Sequence, residues 1–181
     1  QTLKDNGLYE NTIIIFAGDN GLAVGQHGLM GKQNVYEHSV GVPLMIKAAA
    51  QHTGKKTADL CYLIDVFPTL CDMLQLPVPQ SVDGISLLSS LDGKEPVRDY
   101  LYYSYMDNQR GISDGTWKLI EYHVNGKRTT QLFNLKNDPW ERNDLSGQKK
   151  YEKTIQRLRE KMAEEQKRTN DTSVFWNNFS Y

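Results

Sequence analysis

The sequence predicts an α/β chain built in two parts, and three observations carry that prediction. Residues 1–96 alternate short apolar runs with helical patterning, whereas from residue 97 strand-like runs follow one another directly. A single amphipathic stripe near the C-terminus then supplies a helix to cover the second set of strands. The predicted division is therefore 1–96, the end of an α/β sheet, and 97–181, a small antiparallel sheet plus helix.

Each element follows from local chemistry. Gln1–Gly7 reads as the end of a helix, with Gly7 as its stop. Thr12–Ala17 is apolar and rich in β-branched residues, which suits a strand covered on both faces; Val42–Ile46 is a second such strand. Residues 47–56 lack periodicity and read as a surface loop. Asp65 is placed as an N-cap, with Pro68 tolerated in the first turn of a helix over 66–75 whose stripe is Phe67, Leu70, Cys71 and Leu74. Pro77 and Pro79 end it, and one further helical turn is expected around Leu87–Leu91.

In the second part, strands are expected over 100–106, 110–113, 116–122 and 130–135. Asp114-Gly115 and Asn125-Gly126 mark hairpin turns between them. Asp138-Pro139-Trp140-Glu141 makes a turn, and 148–167 forms a helix with Tyr151, Ile155, Leu158 and Met162 on one stripe and a solvated charged face opposite. No internal repeat or low-complexity tract is visible.

The 181 residues carry a formal net charge of -1 and no long basic block, so no electrostatic case for nucleic-acid binding exists. No apolar segment approaches the ~18 residues of a membrane helix. The two cysteines, Cys61 and Cys71, sit in apolar contexts and read as buried thiols, with a disulfide left open. Asn170-Asp171-Thr172 and Asn178-Phe179-Ser180 fit the N-glycosylation pattern, one that arises often by chance.

The chemistry concentrates between the first two strands. Gly18-Asp19-Asn20-Gly21 puts a carboxylate and a carboxamide at the carboxyl end of a strand, where oxygens suit a hard cation; the same tetrapeptide is also an ordinary turn. A loop containing Gly25, Gly28 and Gly31 then delivers His27 and Lys32. A cation and an ammonium close together would neutralise an oxyanion such as sulfate or phosphate. Taken alone, Lys32 is a loop lysine and His27 a backbone hydrogen-bonder. His38 reads as a structural partner, and His52 and His123 as surface residues. Gln109 and Arg110 are placed at the small sheet's edge, where the arginine either binds an anionic substrate or makes a surface ion pair.

A strand ending in G-D-N-G, followed by G-Q-H-G-L-M-G-K, Y-E and V-P-L, resembles the type I, formylglycine-dependent sulfatases of the alkaline phosphatase superfamily. The segments IDVFPTLCDML, GTWKLI and LFNLKNDPWERNDL look like the same family's C-terminal region, so the resemblance covers roughly residues 1–165. It implies the end of the large sulfatase-type mixed sheet followed by a small antiparallel sheet packed with a C-terminal helix. It implies that Asp19 and Asn20 bind a divalent cation, commonly calcium, that Lys32 contacts the sulfate group, and that His27 meets the substrate, a sulfated small molecule or glycan. In the family a hydrated formylglycine attacks sulfur, the alcohol leaves, and the sulfate is then eliminated.

That formylglycine derives from Cys or Ser in C-x-P-S-R or C-x-A-x-R, and neither Cys61 (followed by Tyr-Leu-Ile-Asp) nor Cys71 (followed by Asp-Met-Leu-Gln) matches. The nucleophile is therefore expected upstream. The chain alone is expected to be inactive, to bind calcium weakly because about six to eight oxygens are needed, and to require the N-terminal half as its partner or else to self-associate through exposed strand. Gly41 stands where many relatives carry a basic residue before V-P-L. The family's frequent export favours a periplasmic or secreted location. Rival readings are a phosphodiester or phosphonate-ester hydrolase of the same superfamily and a catalytically silent binding module on this scaffold.

Overall fold

The computed structural model describes residues 1–48, 54 and 56–173; His52, part of the 47–56 loop, and Asn178–Ser180 lie outside them. In chain order the elements are α1 (Thr2–Asp5), β1 (Ile14–Ala17), β2 (Ala23–Val24), β3 (Met30–Gly31), α2 (Glu37–Val40), β4 (Leu44–Lys47), α3 (Val66–Met73), α4 (Leu88–Leu91), β5 (Leu101–Tyr105), β6 (Gln109–Ser113), β7 (Trp117–Val124), β8 (Lys127–Asn134) and α5 (Glu152–Arg168). They form two compact units, one from residues 1–19 and 42–99, the other from 20–41 and 100 onward. Against the expected division at 96/97, the later break falls after Asp99, and the glycine-rich segment belongs to the second unit.

In the first unit β1 and β4 pair antiparallel, Ile14 opposite Lys47 and Ala17 opposite Leu44. The ladder runs one step further through Gly18 N–H to the Pro43 carbonyl, 3.2 Å. The expected double coverage is not found: Phe16 and Met45, opposite each other, are 57% and 60% exposed. This sheet has no third strand among the described residues. Gly7 ends α1 with φ 67°, as its position predicts.

Asp65 sits at the start of α3, but its side chain does not cap that helix. Fully buried, it accepts from Tyr62 N–H (2.7 Å), Ile85 N–H (2.8 Å) and Arg98 Nη2 (2.7 Å). One carboxylate thereby gathers the irregular segment after α3 around the helix. Cys61 and Cys71 are both thiols. Burial pushes the Cys61 thiol up, with the Asp65 carboxylate adding to it, so its nucleophilic form is disfavoured.

The second unit is built on an antiparallel meander in the order β5-β6-β7-β8. The predicted turns are present, with Gly115 at φ 78° and Asn125-Gly126 at 52° and 71°. Tyr102, Ile112, Leu119 and Leu132 from the sheet pack against Ile155, Leu158 and Met162 of α5. The rest of α5 is not simply solvated. Arg157 donates to Asp114 (2.7 Å) and Arg159 to Glu121 (2.7 Å), clamping the helix to a turn and a strand.

Arg110 corrects a second expectation. Strand β6 is interior, flanked by β5 and β7, and Arg110 is 2% exposed, its Nε 2.7 Å from Asp171. It is a buried structural cation, not a sheet-edge anion site. Burial would raise the Asp171 carboxyl, but hydrogen bonds from Tyr102, Arg110 and Ser173 outweigh it and hold it below the ordinary 3.8.

On the sheet face away from α5, Lys118 is wholly buried. Its ammonium lies 2.8 Å from Glu37 of α2 and 3.1 Å from Glu141 of the Asp138–Glu141 turn. Glu141 also accepts the Glu37 N–H at 2.6 Å. A second cluster, Val35, Tyr36, Ile120 and Phe133, packs the 20–41 segment on the same face. Sheet, segment and turn are therefore joined at one ion cluster.

Removing one member of a buried pair strands the other charge, at a cost of about 3–5 kcal/mol. Lys118→Met is expected to destabilise the chain by that order in urea titration, and Lys118→Met with Glu141→Leu to recover most of the loss. Asp171→Ala is expected to cost about 3 kcal/mol near neutral pH. Because Asp171 is depressed in the folded state, its contribution is complete above the ordinary 3.8 and fades as pH falls through the folded value, so the gap to wild type should close below that range.

Candidate functional site

The 20–41 segment is folded by its glycines. Gly21 N–H donates to the Ser39 carbonyl at 2.9 Å, and a Cβ at Gly21 would land on the His38 carbonyl oxygen, so the two ends of the segment touch as only glycine allows. Between them β2 and β3 form a two-residue hairpin whose loop, residues 25–29, holds His27. Gly25 (φ 110°), His27 (54°) and Gly28 (70°) all lie in the left-handed region. His27 is the non-glycine among them, an imidazole held on a backbone that L-residues avoid.

Asn20 Nδ2 donates to the Gly21 carbonyl at 2.9 Å, which fixes the amide and leaves Oδ1 as the acceptor. Lys32 Nζ donates to that oxygen at 3.0 Å. The structure thus brings together two of the candidate residues, Asn20, expected to meet a cation, and Lys32, expected to meet an anion. Asp19, exposed, precedes Asn20 in the chain as the last residue of the first unit. A carboxylate and a carboxamide oxygen are hard donors that fit a calcium-like cation chemically. Among the described residues no group of three or more His, Cys, Asp or Glu could hold a metal ion.

His27 is turned toward different neighbours. Its ring stacks on Tyr36 at 3.9 Å between centroids and 6° between planes, with His38 5.6 Å away. Its Nε2 lies 3.2 Å from the Trp140 carbonyl, which can only accept; Nε2 therefore carries hydrogen and Nδ1 is the remaining polar atom. Tyr36 is buried and donates to Gln131 at 2.7 Å, so the stack rests on strand β8. Burial lowers His38, and the charges of His27 and Lys118 lower it further, favouring neutral imidazole.

Two clefts open on either side of His27. One, about 340 Å³, lies over the outer end of the sheet and includes Gln33, Gln109, Tyr122 and Gln131. The other, about 560 Å³, is lined by Gln26, His27, His38 and residues 139–142. Trp140 and Arg142 line this second cleft from a segment, D-P-W-E-R, that reads locally as a turn, and no sequence signal singled them out. Gly41, where a basic residue was expected, is also explained: a Cβ there would stand 2.8 Å from the Glu37 carbonyl oxygen, and the Glu37 carboxylate goes to Lys118 instead.

Residues 25–168 match the family model described as N-sulphoglucosamine sulphohydrolase, C-terminal. The chain is 30% identical to N-acetylglucosamine-6-O-sulfatase of Bacteroides thetaiotaomicron over 93% of its own length and 32% of that protein. It superposes with a TM-score of 0.78, at 28% identity, on a structure solved in complex with its substrate D-glucosamine-2-N,6-O-disulfate, covering 96% of this chain and 37% of that one. It also superposes with a TM-score of 0.76, at 26% identity, on the phosphonate monoester hydrolase of Agrobacterium radiobacter, covering 91% and 36%. The chain spans about a third of the length of the relatives it matches. With its mixed α/β fold, small antiparallel sheet and covering C-terminal helix, the chain belongs to the sulfatase family, and what it corresponds to there is the C-terminal region.

Proposed function

We propose that the chain serves a sulfuric ester hydrolase, supplying Asp19 and Asn20 to a divalent cation, calcium by preference, and Lys32 and His27 to the sulfate ester. Family membership supports the reaction class, and the 3.0 Å contact of Lys32 Nζ with Asn20 Oδ1 is the observation that supports the assignment of roles. An oxyanion held by a cation at Asn20 would lie within reach of that ammonium.

Lys32 then binds one sulfate oxygen and offsets the charge that builds up there and on the departing alcohol oxygen. The cation, when bound, polarises the sulfuryl oxygens as a Lewis acid. His27, with Nε2–H committed to the Trp140 carbonyl, offers Nδ1 to a substrate hydroxyl or to the leaving-group side. Neither Cys61 nor Cys71 lies in a formylglycine motif, so the nucleophile is supplied from outside this chain, and the chain on its own is inactive. The sulfated sugar bound by a structural relative makes a sulfated saccharide the preferred substrate class.

Similarity to a phosphonate monoester hydrolase keeps one other reaction in play. The test is to assay the polypeptide that contains this chain on an aryl sulfate and on the matching phosphonate monoester. The sulfate is expected to turn over faster. Lys32→Ala should lower kcat/KM by about 10²–10³-fold, and Asp19→Ala should abolish the activation by added calcium. Faster phosphonate turnover would move the assignment to the rival reaction, and wild-type kinetics for Lys32→Ala would remove this lysine from the site.

A further inference from the structure

The turn that anchors Lys118 does a second thing. Glu141 is held at φ 53° with its carboxylate buried on Lys118, and its N–H bonds back to the Asp138 carbonyl at 3.0 Å. Fixing Glu141 inward sets Trp140 outward, and the indole is left 66% exposed. A rigid turn holding a large amphipathic ring in water forfeits burial energy that a ligand can recover. Left-handed backbone at both His27 and Glu141 flanks the same cleft.

Around the indole the cleft carries polar side chains. Arg142 follows on the same turn, and His27, His38 and Gln26 face it from the 20–41 segment. Among the described residues His38 Nε2 has no hydrogen-bond partner, which leaves the imidazole with unused bonding capacity on the wall of the cleft. The Glu141 carboxylate on this wall is turned inward onto Lys118, 3.1 Å away, and is itself buried.

We propose that this cleft of about 560 Å³ is a saccharide subsite, in which the Trp140 indole stacks on the C–H face of a sugar ring while Arg142 and His38 bond the hydroxyl or sulfate oxygens at its edge. A pyranose has one apolar face and a polar rim, and the cleft repeats that division. A guanidinium matches a sulfate oxygen pair in fork geometry. An aryl ester would use the indole and leave Arg142 and His38 unserved, and an apolar polypeptide segment would bury both without partners. The inference rests on the sulfate-ester reading and narrows it to esters of sulfated sugars.

The test is binding without turnover. The full chain, in chelator, is titrated by calorimetry with a heparin-derived disaccharide bearing N- and O-sulfates, with inorganic sulfate and an aryl sulfate as comparators. The disaccharide should bind the wild type most tightly. Trp140→Ala, which keeps the carbonyl that His27 uses, should weaken it at least about tenfold, equivalent to about 1.4 kcal/mol. Arg142→Gln should also weaken it, and both variants should melt at the wild-type temperature. Absence of disaccharide binding, binding matched by inorganic sulfate, or Trp140→Ala binding as well as the wild type would overturn the proposal. So would a melting temperature lowered by Trp140→Ala with affinity unchanged, which would make the indole a packing residue. Because no hydrolysis is read, a failed sulfatase assay leaves this result standing, and a failed titration leaves the aryl sulfate assay to stand by itself.

Discussion

The buried ammonium of Lys118 is the constraint on which the second unit depends. A cation with no access to water is tolerable only if carboxylates reach it, and the two that do come from opposite directions in sequence, Glu37 on one side and Glu141 on the other. Each drags its own neighbourhood along. Glu37 brings α2 and with it Tyr36 and His38; Glu141 brings the turn and with it Trp140. The stack of His27 on Tyr36, the hydrogen bond from His27 to the Trp140 carbonyl and the shape of the larger cleft are all downstream of where that one charge is satisfied. Burial raises Glu141 and the Glu37 carboxylate adds to it, while Lys118 and the Glu37 N–H pull it back; two carboxylates share one ammonium.

The electrostatics of the segment sort its polar side chains into different tasks. Lys32 is exposed and lies on an amide oxygen, a charge available to something outside the protein. Lys118, in contrast, is spent internally. Arg110 is spent too, on Asp171, and Arg157 and Arg159 on a turn and a strand of the sheet beneath α5. Of the cations that sequence alone makes look alike, burial decides which are structural and which face solvent.

What could be read from the sequence was whatever short-range chemistry determines. Asp114-Gly115 and Asn125-Gly126 demanded hairpins because their backbones favour the left-handed region, and the Ile155, Leu158, Met162 stripe demanded a helix against a sheet. The sulfatase resemblance likewise rode on contiguous motifs. What could not be read were partnerships across long separations: Glu37 with Lys118, 81 residues apart, and Glu37 with Glu141, 104 apart. Asp65 looked like a helix cap because that is the local rule, and only the fold shows three donors converging on it. Arg110 was misplaced because an alternating strand does not announce which edges are paired. Of the candidate residues, Lys32 and Asn20 lie 3.0 Å apart within one local segment, whereas Trp140 and Arg142 line the cleft from a stretch that reads as a turn.

The left-handed loop around His27 also limits how this protein can change. Positions 25, 28 and 31 have φ of 110°, 70° and 108°, values that almost any side chain would strain. Selection can therefore find few viable replacements there, and the loop's path is effectively frozen once acquired. Variation that alters what the protein recognises is channelled to residues whose backbones are permissive and whose side chains face outward, such as Gln26, Leu29 and Arg142. New specificities on this scaffold should arise by changing what decorates the loop and the facing turn, while the peptide geometry beneath them passes unaltered from one descendant to the next.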